Sequence, residues 1–77
     1  MSTHIKQVDA RDYAPKDKHS TIFSTFKSLE SGEVMHLIND HDPIPLFYQF
    51  NAEYRDLFTW EYLENGPDIW RVAIGKK

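Results

Sequence analysis

Apolar residues in the first half of the chain recur at helical spacing. Ile22, Phe23, Phe26 and Leu29 fall at positions i, i+1, i+4 and i+7 of one stripe. This spacing is typical of an amphipathic helix with one buried face. Pro15 suits the first turn of a helix and Gly32 suits the stretch after its end, so the pattern predicts a helix from about Pro15 to Leu29.

A second helical pattern follows the prolines Pro43 and Pro45. Its apolar positions are Leu46, Phe47, Phe50 and Tyr54. A proline in the first turn of a helix removes no needed hydrogen bond, because the first N–H groups have no intrahelical acceptor. The sequence therefore predicts a second helix that begins at one of these prolines and ends near Tyr54.

Four short segments have the patterns of strands. The segments are Ile5–Asp9, Glu33–Asn39, Phe58–Leu63 and Trp70–Ile74. The last two alternate apolar with polar residues and flank the turn signal Asn65-Gly66-Pro67, which indicates a hairpin. The order β-α-β-α-β-β predicts an α+β fold, a two-layer sandwich in which both helices cover one face of a four-stranded mixed sheet.

Strand alternation also predicts which residues of the hairpin face the helices. Phe58, Trp60, Tyr62, Trp70, Val72 and Ile74 share one phase. Successive strand side chains point to opposite faces, so Thr59, Glu61 and Arg71 belong to the open face.

Length, charge and composition exclude several classes of function. A chain of 77 residues has room for one small core, so we expect a single domain over residues 1–77. Its formal charge of −3 does not suit a nucleic-acid-binding protein, and the absence of cysteine excludes thiol catalysis and thiolate metal sites. No segment has the length of a membrane span. We expect a cytoplasmic protein without nucleic-acid or membrane partners.

Several segments together resemble the small bacterial and archaeal proteins grouped as domain of unknown function family 2249. They are Val8–Arg11, His19–Phe23, Asn39–Leu46 with Tyr48-Gln49, and Trp60–Pro67 with Trp70–Val72. The resemblance covers nearly the whole chain. That family in turn looks like a relative of the TusA/SirA sulfur carriers, which implies the strand order 1-2-4-3.

The resemblance to the sulfur carriers does not extend to their chemistry. The carriers work through a cysteine followed by proline at the start of the first helix, and the corresponding dipeptide here is Ala14-Pro15. Since Ala14 cannot carry a persulfide, sulfur transfer is not expected although the fold is.

The hinge Asn39–Pro45 is the predicted functional site. It follows the second strand, and parallel strands 1 and 2 bring this hinge close to the start of the first helix. We expect the ligand-binding residues to be His19, Asp40, His41, Asp42, Tyr48 and Arg11. His19, His41 and Asp42 form the candidate ligand set for a divalent transition metal, which favours such nitrogen and oxygen donors. The favoured hypothesis is a non-catalytic accessory module that binds a metal ion or small ligand and passes it to, or senses it for, a protein partner.

Structural roles for the same residues compete with this hypothesis. Asp40 or Asp42 would serve as the N-cap of the second helix, and His19 would be a half-buried histidine with a backbone or carboxylate partner. His41 beside two carboxylates would form an ion pair.

Other functions remain open at this point. Lys16, Lys18, His19 and Arg11 could bind a small anion, provided that one of the nearby aspartates turns away. His41 with Asp42 could act as the base of an enzyme. The aromatic residues of the hairpin could form the surface of a protein-interaction adaptor, and the protein would be a monomer or a weak homodimer.

Overall fold

The computed structural model describes residues 6–77. Ile5, the predicted start of the first strand, lies outside the described residues. In chain order the elements are β1 (Lys6–Asp9), a 3₁₀ turn (Ala10–Asp12), α1 (Pro15–Lys27), β2 (Val34–Asn39), α2 (Ile44–Glu53), β3 (Phe58–Asn65) and β4 (Trp70–Lys76). Within residues 6–77 no helix has the length and apolar character that crossing a membrane requires.

The strands form one mixed sheet in the order β1-β2-β4-β3. β1 and β2 are parallel, whereas β4 is antiparallel to both β2 and β3. This confirms the predicted α+β sandwich and the order 1-2-4-3. The parallel pairing brings the carboxyl ends of β1 and β2 to the same edge, because Asp9 pairs with Ile38. The chain continues from this edge into both helices, so both helix N-termini lie near it.

Both helices cover the same face of the sheet. The face carries Met35 and Leu37 from β2 beside Ile74 and Val72 from β4, and all four are fully buried. The helices add Ile22 and Phe26 from α1 and Leu46 and Phe50 from α2. The residues at helical spacing in the sequence are thus the ones that close the core.

Phe50 is the centre of an aromatic cluster that joins α1, α2 and β3. Its ring centroid lies 4.5 Å from that of Phe23, 5.0 Å from Phe26 and 5.4 Å from Phe58. Aromatic pairs at these separations add to the free energy that burial alone supplies. The cluster fixes α2 against the sheet and thereby fixes the loop that precedes α2.

The hairpin has the predicted register. Trp60 pairs with Ile74 and Tyr62 with Val72 on the helix-covered face, whereas Glu61 pairs with Ala73 on the open face. A β-bulge follows Tyr62. Tyr62 nevertheless keeps 38% of its surface exposed, because β3 is the last strand of the sheet and the helices do not cover this edge fully.

Candidate functional site

A small cavity lies at the carboxyl ends of β1 and β2, between the N-terminal half of α1 and the first turn of α2. Its volume is about 70 Å³. The residues that line it, here called the strand-end cavity, are Ala10, Lys18, His19, Ile22, Asn39, His41, Pro43, Pro45 and Leu46. Cavities that enclose drug-sized ligands measure about 300–1,000 Å³. This cavity therefore suits a small ion or a few water molecules.

The strand-end cavity brings together the two histidines of the predicted site. His19 lies in the second turn of α1, one turn before the buried Ile22, and His41 lies in the loop between β2 and α2. Both residues line the cavity and both are exposed to solvent. A ligand entering from solvent can therefore meet both imidazoles.

Asp40 orients the imidazole of His41. His41 Nδ1 lies 2.7 Å from Asp40 Oδ1. Because an ionised carboxylate only accepts hydrogen bonds, Nδ1 carries the proton in this contact and Nε2 remains for a ligand. This hydrogen bond is the main reason why the pKa of Asp40 lies below its ordinary value, and the charge of Lys18 lowers this pKa further.

Asn39 places a buried polar group in the wall of the cavity. It belongs to the helix-covered phase of β2 and is only 6% exposed. Its Oδ1 accepts the backbone N–H of Asp40 at 3.0 Å. The side-chain amide nitrogen has no hydrogen-bond partner within residues 6–77, so it is available to donate to a ligand.

Asp42 lies away from the strand-end cavity. Its carboxylate accepts a hydrogen bond of 2.7 Å from the hydroxyl of Tyr62 in β3. His41 and Asp42, the candidate base of an enzyme, form no hydrogen bond with each other, because His41 contacts Asp40 and Asp42 contacts Tyr62. Nor does the part of the chain that the structure describes hold any group of three or more His, Cys, Asp or Glu able to bind a metal.

The expected capping role of the aspartates is wrong. The N-cap of α2 is Pro43, and no side chain makes a cap hydrogen bond there. Asp40 and Asp42 precede this position and instead bind His41 and Tyr62. The first N–H groups of α2 therefore have no side-chain cap, and the first turn of α2 contains no acidic residue.

Two further residues of the predicted site lie elsewhere. Tyr48 is 66% exposed and belongs to a groove on another side of α2. Arg11 forms a two-point ion pair with Asp9, with contacts of 2.6 Å and 2.8 Å. Its hydrogen bond to Asp9 lowers the pKa of that carboxyl group. Neither Tyr48 nor Arg11 lines the strand-end cavity.

Sequence reasoning left Asn39 and Lys18 out of the candidate set. Asn39 could have been found from strand alternation. It follows Met35 and Leu37 on the same, buried face of β2, where an apolar residue is expected. Lys18 was expected only as part of an anion site, and its position one residue before His19 in α1 brings it to the same cavity.

Comparison with known proteins identifies a family but no characterised relative. No curated protein and no solved structure matches the chain. The relationship to the sulfur carriers therefore stays a prediction. A family model with the description "Uncharacterized conserved protein (DUF2249)" matches residues 7–76. The match spans nearly the whole length of the protein, so the chain belongs to this family of uncharacterized conserved proteins.

Proposed function

We propose that this protein is a small non-catalytic module that binds a small anion in the strand-end cavity and presents it to a partner protein. The observation that carries the proposal is the chemistry of the cavity wall. Its polar side chains are Lys18, His19, Asn39 and His41, and no carboxylate is among the lining residues. Protonated imidazole, ammonium and amide N–H groups all donate hydrogen bonds, which is what an anion requires.

The surrounding electrostatics support an anion. The positive end of the α2 dipole borders the cavity, since the N-cap Pro43 and the first-turn residues Pro45 and Leu46 line it. The two aspartates of the hinge would oppose an anion if they faced it. Asp42 is turned toward Tyr62, and Asp40 is engaged by His41.

Size and composition favour binding over catalysis. The apolar floor of Ala10, Ile22 and Leu46 is nearly fully buried and limits the ligand to a few atoms. The lining residues include no serine, threonine or cysteine that could act as a nucleophile. A compact oxyanion with donors on several sides fits this arrangement.

A divalent transition metal is the second candidate, because two imidazoles line one cavity. Two protein ligands are fewer than the three or four of most zinc sites, so water or a partner protein would have to supply the others. The two candidates respond oppositely to pH. A metal needs neutral imidazole, whereas an anion gains from protonated imidazole.

Calorimetric titrations with sodium sulfate and with zinc chloride at pH 7.5 and pH 5.5 test the proposal. Sulfate keeps its charge across this range, so a change in its affinity reports on the protein. We expect saturable sulfate binding that is stronger at pH 5.5, because an anion is bound better by protonated than by neutral imidazole. Zinc binding that weakens at pH 5.5, without any sulfate binding, would replace the anion proposal with the metal alternative.

A matched pair of variants locates the binding site. Lys18→Gln removes the positive charge of a residue that lines the cavity, whereas Lys16→Gln removes the same charge from an exposed lysine in the same turn. We expect Lys18→Gln to weaken sulfate binding about tenfold, from the loss of one charge-assisted hydrogen bond, and Lys16→Gln less than about twofold. Equal effects of the two variants would mean general attraction to surface charge, and the cavity would not be the site.

A further inference from the structure

Exposed apolar side chains are concentrated in the part of the chain that runs from α2 to β3. Of the six large apolar residues that are exposed within residues 6–77, five lie between positions 44 and 63: Ile44, Tyr48, Leu57, Tyr62 and Leu63. Three of them line a groove of about 240 Å³ between α2 and β3. This α2–β3 groove consists of Ile44, Phe47, Tyr48, Trp60 and Tyr62.

The groove runs beside an unpaired sheet edge. β3 is eight residues long, pairs only with β4 and is the last strand of the sheet. Backbone groups of a strand alternate between its two sides, so about half of those in β3 point away from the sheet. Such an edge is a template for another strand, and proteins usually shield it. Here the outer side has no neighbouring strand among the described residues.

The edge strand itself carries only acidic charges. β3 contains Glu61 and Glu64 and no lysine or arginine, and the carboxylate of Asp42 accepts a hydrogen bond from its Tyr62. Glu64 is paired with Arg71 at 3.0 Å. Glu61, by contrast, takes part in none of the ion pairs within residues 6–77. The edge therefore attracts basic groups and has an acidic side chain free to meet them.

We propose that β3 and the α2–β3 groove bind an extended basic segment of a partner protein, which joins the sheet as a fifth strand. An added strand would alternate its side chains between the two faces. Those on the helix-covered face would enter the groove beside Tyr48 and Trp60, and those on the open face would lie beside Glu61. The segment recognised here thus alternates apolar residues with lysine or arginine.

Electrostatic repulsion disfavours a second copy of this chain as the binding partner of β3. Pairing β3 with β3 of another copy would bring two acidic edges together, because each carries Glu61 and Glu64. Like charges on neighbouring strands destabilise a sheet. A basic segment removes this repulsion. The inference is independent of the anion proposal, since the groove and the strand-end cavity share no lining residue.

Synthetic eight-residue peptides test the chemistry of the segment. The probe alternates valine with lysine, a block peptide has four valines followed by four lysines, and a third peptide alternates valine with glutamate. Binding is followed by the NMR signal of the Trp60 indole and by amide hydrogen exchange of β3. We expect the alternating basic peptide to bind at least about fivefold more tightly than the block peptide and to protect alternate β3 amides. The acidic peptide should not bind.

Two matched pairs of variants test the surface. Glu61→Gln should weaken the alternating basic peptide about threefold, while Glu30→Gln, an exposed acid outside the groove, should leave its affinity unchanged. Tyr48→Ala should lower the affinity for the alternating basic peptide about fivefold. Tyr13→Ala, which removes an exposed tyrosine outside the groove, should leave this affinity unchanged. Equal affinity for the alternating and block peptides, or binding that protects no β3 amide, would overturn the proposal. Concentration-dependent protection of β3 without peptide would assign the edge to a second copy and would overturn it as well.

Discussion

The strand-end cavity and the α2–β3 groove lie on different sides of the same short helix and differ in nearly every physical property. The cavity measures about 70 Å³ and is walled by cationic and amide groups over a buried apolar floor. The groove measures about 240 Å³ and is lined by aromatic and aliphatic residues beside the acidic strand β3, which carries Glu61 and Glu64. The first suits a small anion, the second an extended cationic segment.

The first two turns of α2 separate the two surfaces. Leu46 closes the floor of the cavity, whereas Ile44 and Tyr48, two residues away on either side, line the groove. Each residue of an α-helix rotates by about 100°, so positions two apart point in nearly opposite directions. The cavity is consequently built on the core, whereas α2 contributes to the groove mainly through exposed side chains, Ile44 and Tyr48.

The largest expected effect is on stability, and it comes from substituting Leu46 or Ile44 by alanine. Leu46 is 3% exposed and Ile44 is 44% exposed. Leu46→Ala should lower the free energy of unfolding by about 2–4 kcal/mol, because it leaves a hole between helix and sheet. Ile44→Ala should lower it by less than about 1 kcal/mol. Urea denaturation followed by far-ultraviolet circular dichroism measures both.

The same pair should separate the two binding activities. Ile44→Ala is expected to reduce affinity for the basic peptide and to leave sulfate affinity unchanged, since Ile44 does not line the cavity. If both variants lose the same stability, or if Ile44→Ala impairs sulfate binding, the division between a core-built cavity and a surface groove is wrong.

A smaller effect concerns Tyr62 at the edge of the groove. Burial raises the pKa of Tyr62 above its ordinary value of 10.0, and the hydrogen bond to Asp42 raises this pKa further by holding the phenolic proton. Asp42→Asn should therefore lower the pKa of Tyr62 without returning it to 10.0, because burial is the larger cause. Tyrosine NMR shifts followed up to high pH measure it.

Asp40→Asn is the control for this titration. Asp40 contacts His41 and not Tyr62, so this variant should leave the pKa of Tyr62 unchanged. A pKa of Tyr62 that responds equally to both variants would mean that general negative charge, and not the direct hydrogen bond, is responsible.

The hydrophobic pattern was sufficient to predict the fold. Period and turn signals place both helices and the three later strands within two residues of their ends. The alternation of β3 predicts which aromatic residues face the helices. These features depend on local periodicity and on the burial of one face, which a sequence expresses directly.

The candidate site was predictable only in part. His19 and His41 line one cavity because β1 and β2 are parallel and α1 begins near their carboxyl ends. The hydrophobic pattern predicts both of these features. The places of Asp42 and Tyr48 do not follow from it. Asp42 accepts a hydrogen bond from Tyr62, which lies 20 residues further along the chain in β3. Tyr48 faces away because its direction depends on where α2 begins, and a shift of one residue turns a side chain by about 100°.

The central claim is that the two surfaces bind opposite charges independently, and a cross-titration followed by NMR tests it most directly. Sulfate should shift the ring signals of His19 and His41 and the side-chain amide of Asn39 with one common affinity. The ring of His36, in β2 outside the cavity, should not respond. The alternating valine–lysine peptide should shift the Trp60 indole and leave these signals unmoved. Sulfate that shifts His19 and His41 with different affinities, or equally with His36, would contradict the account.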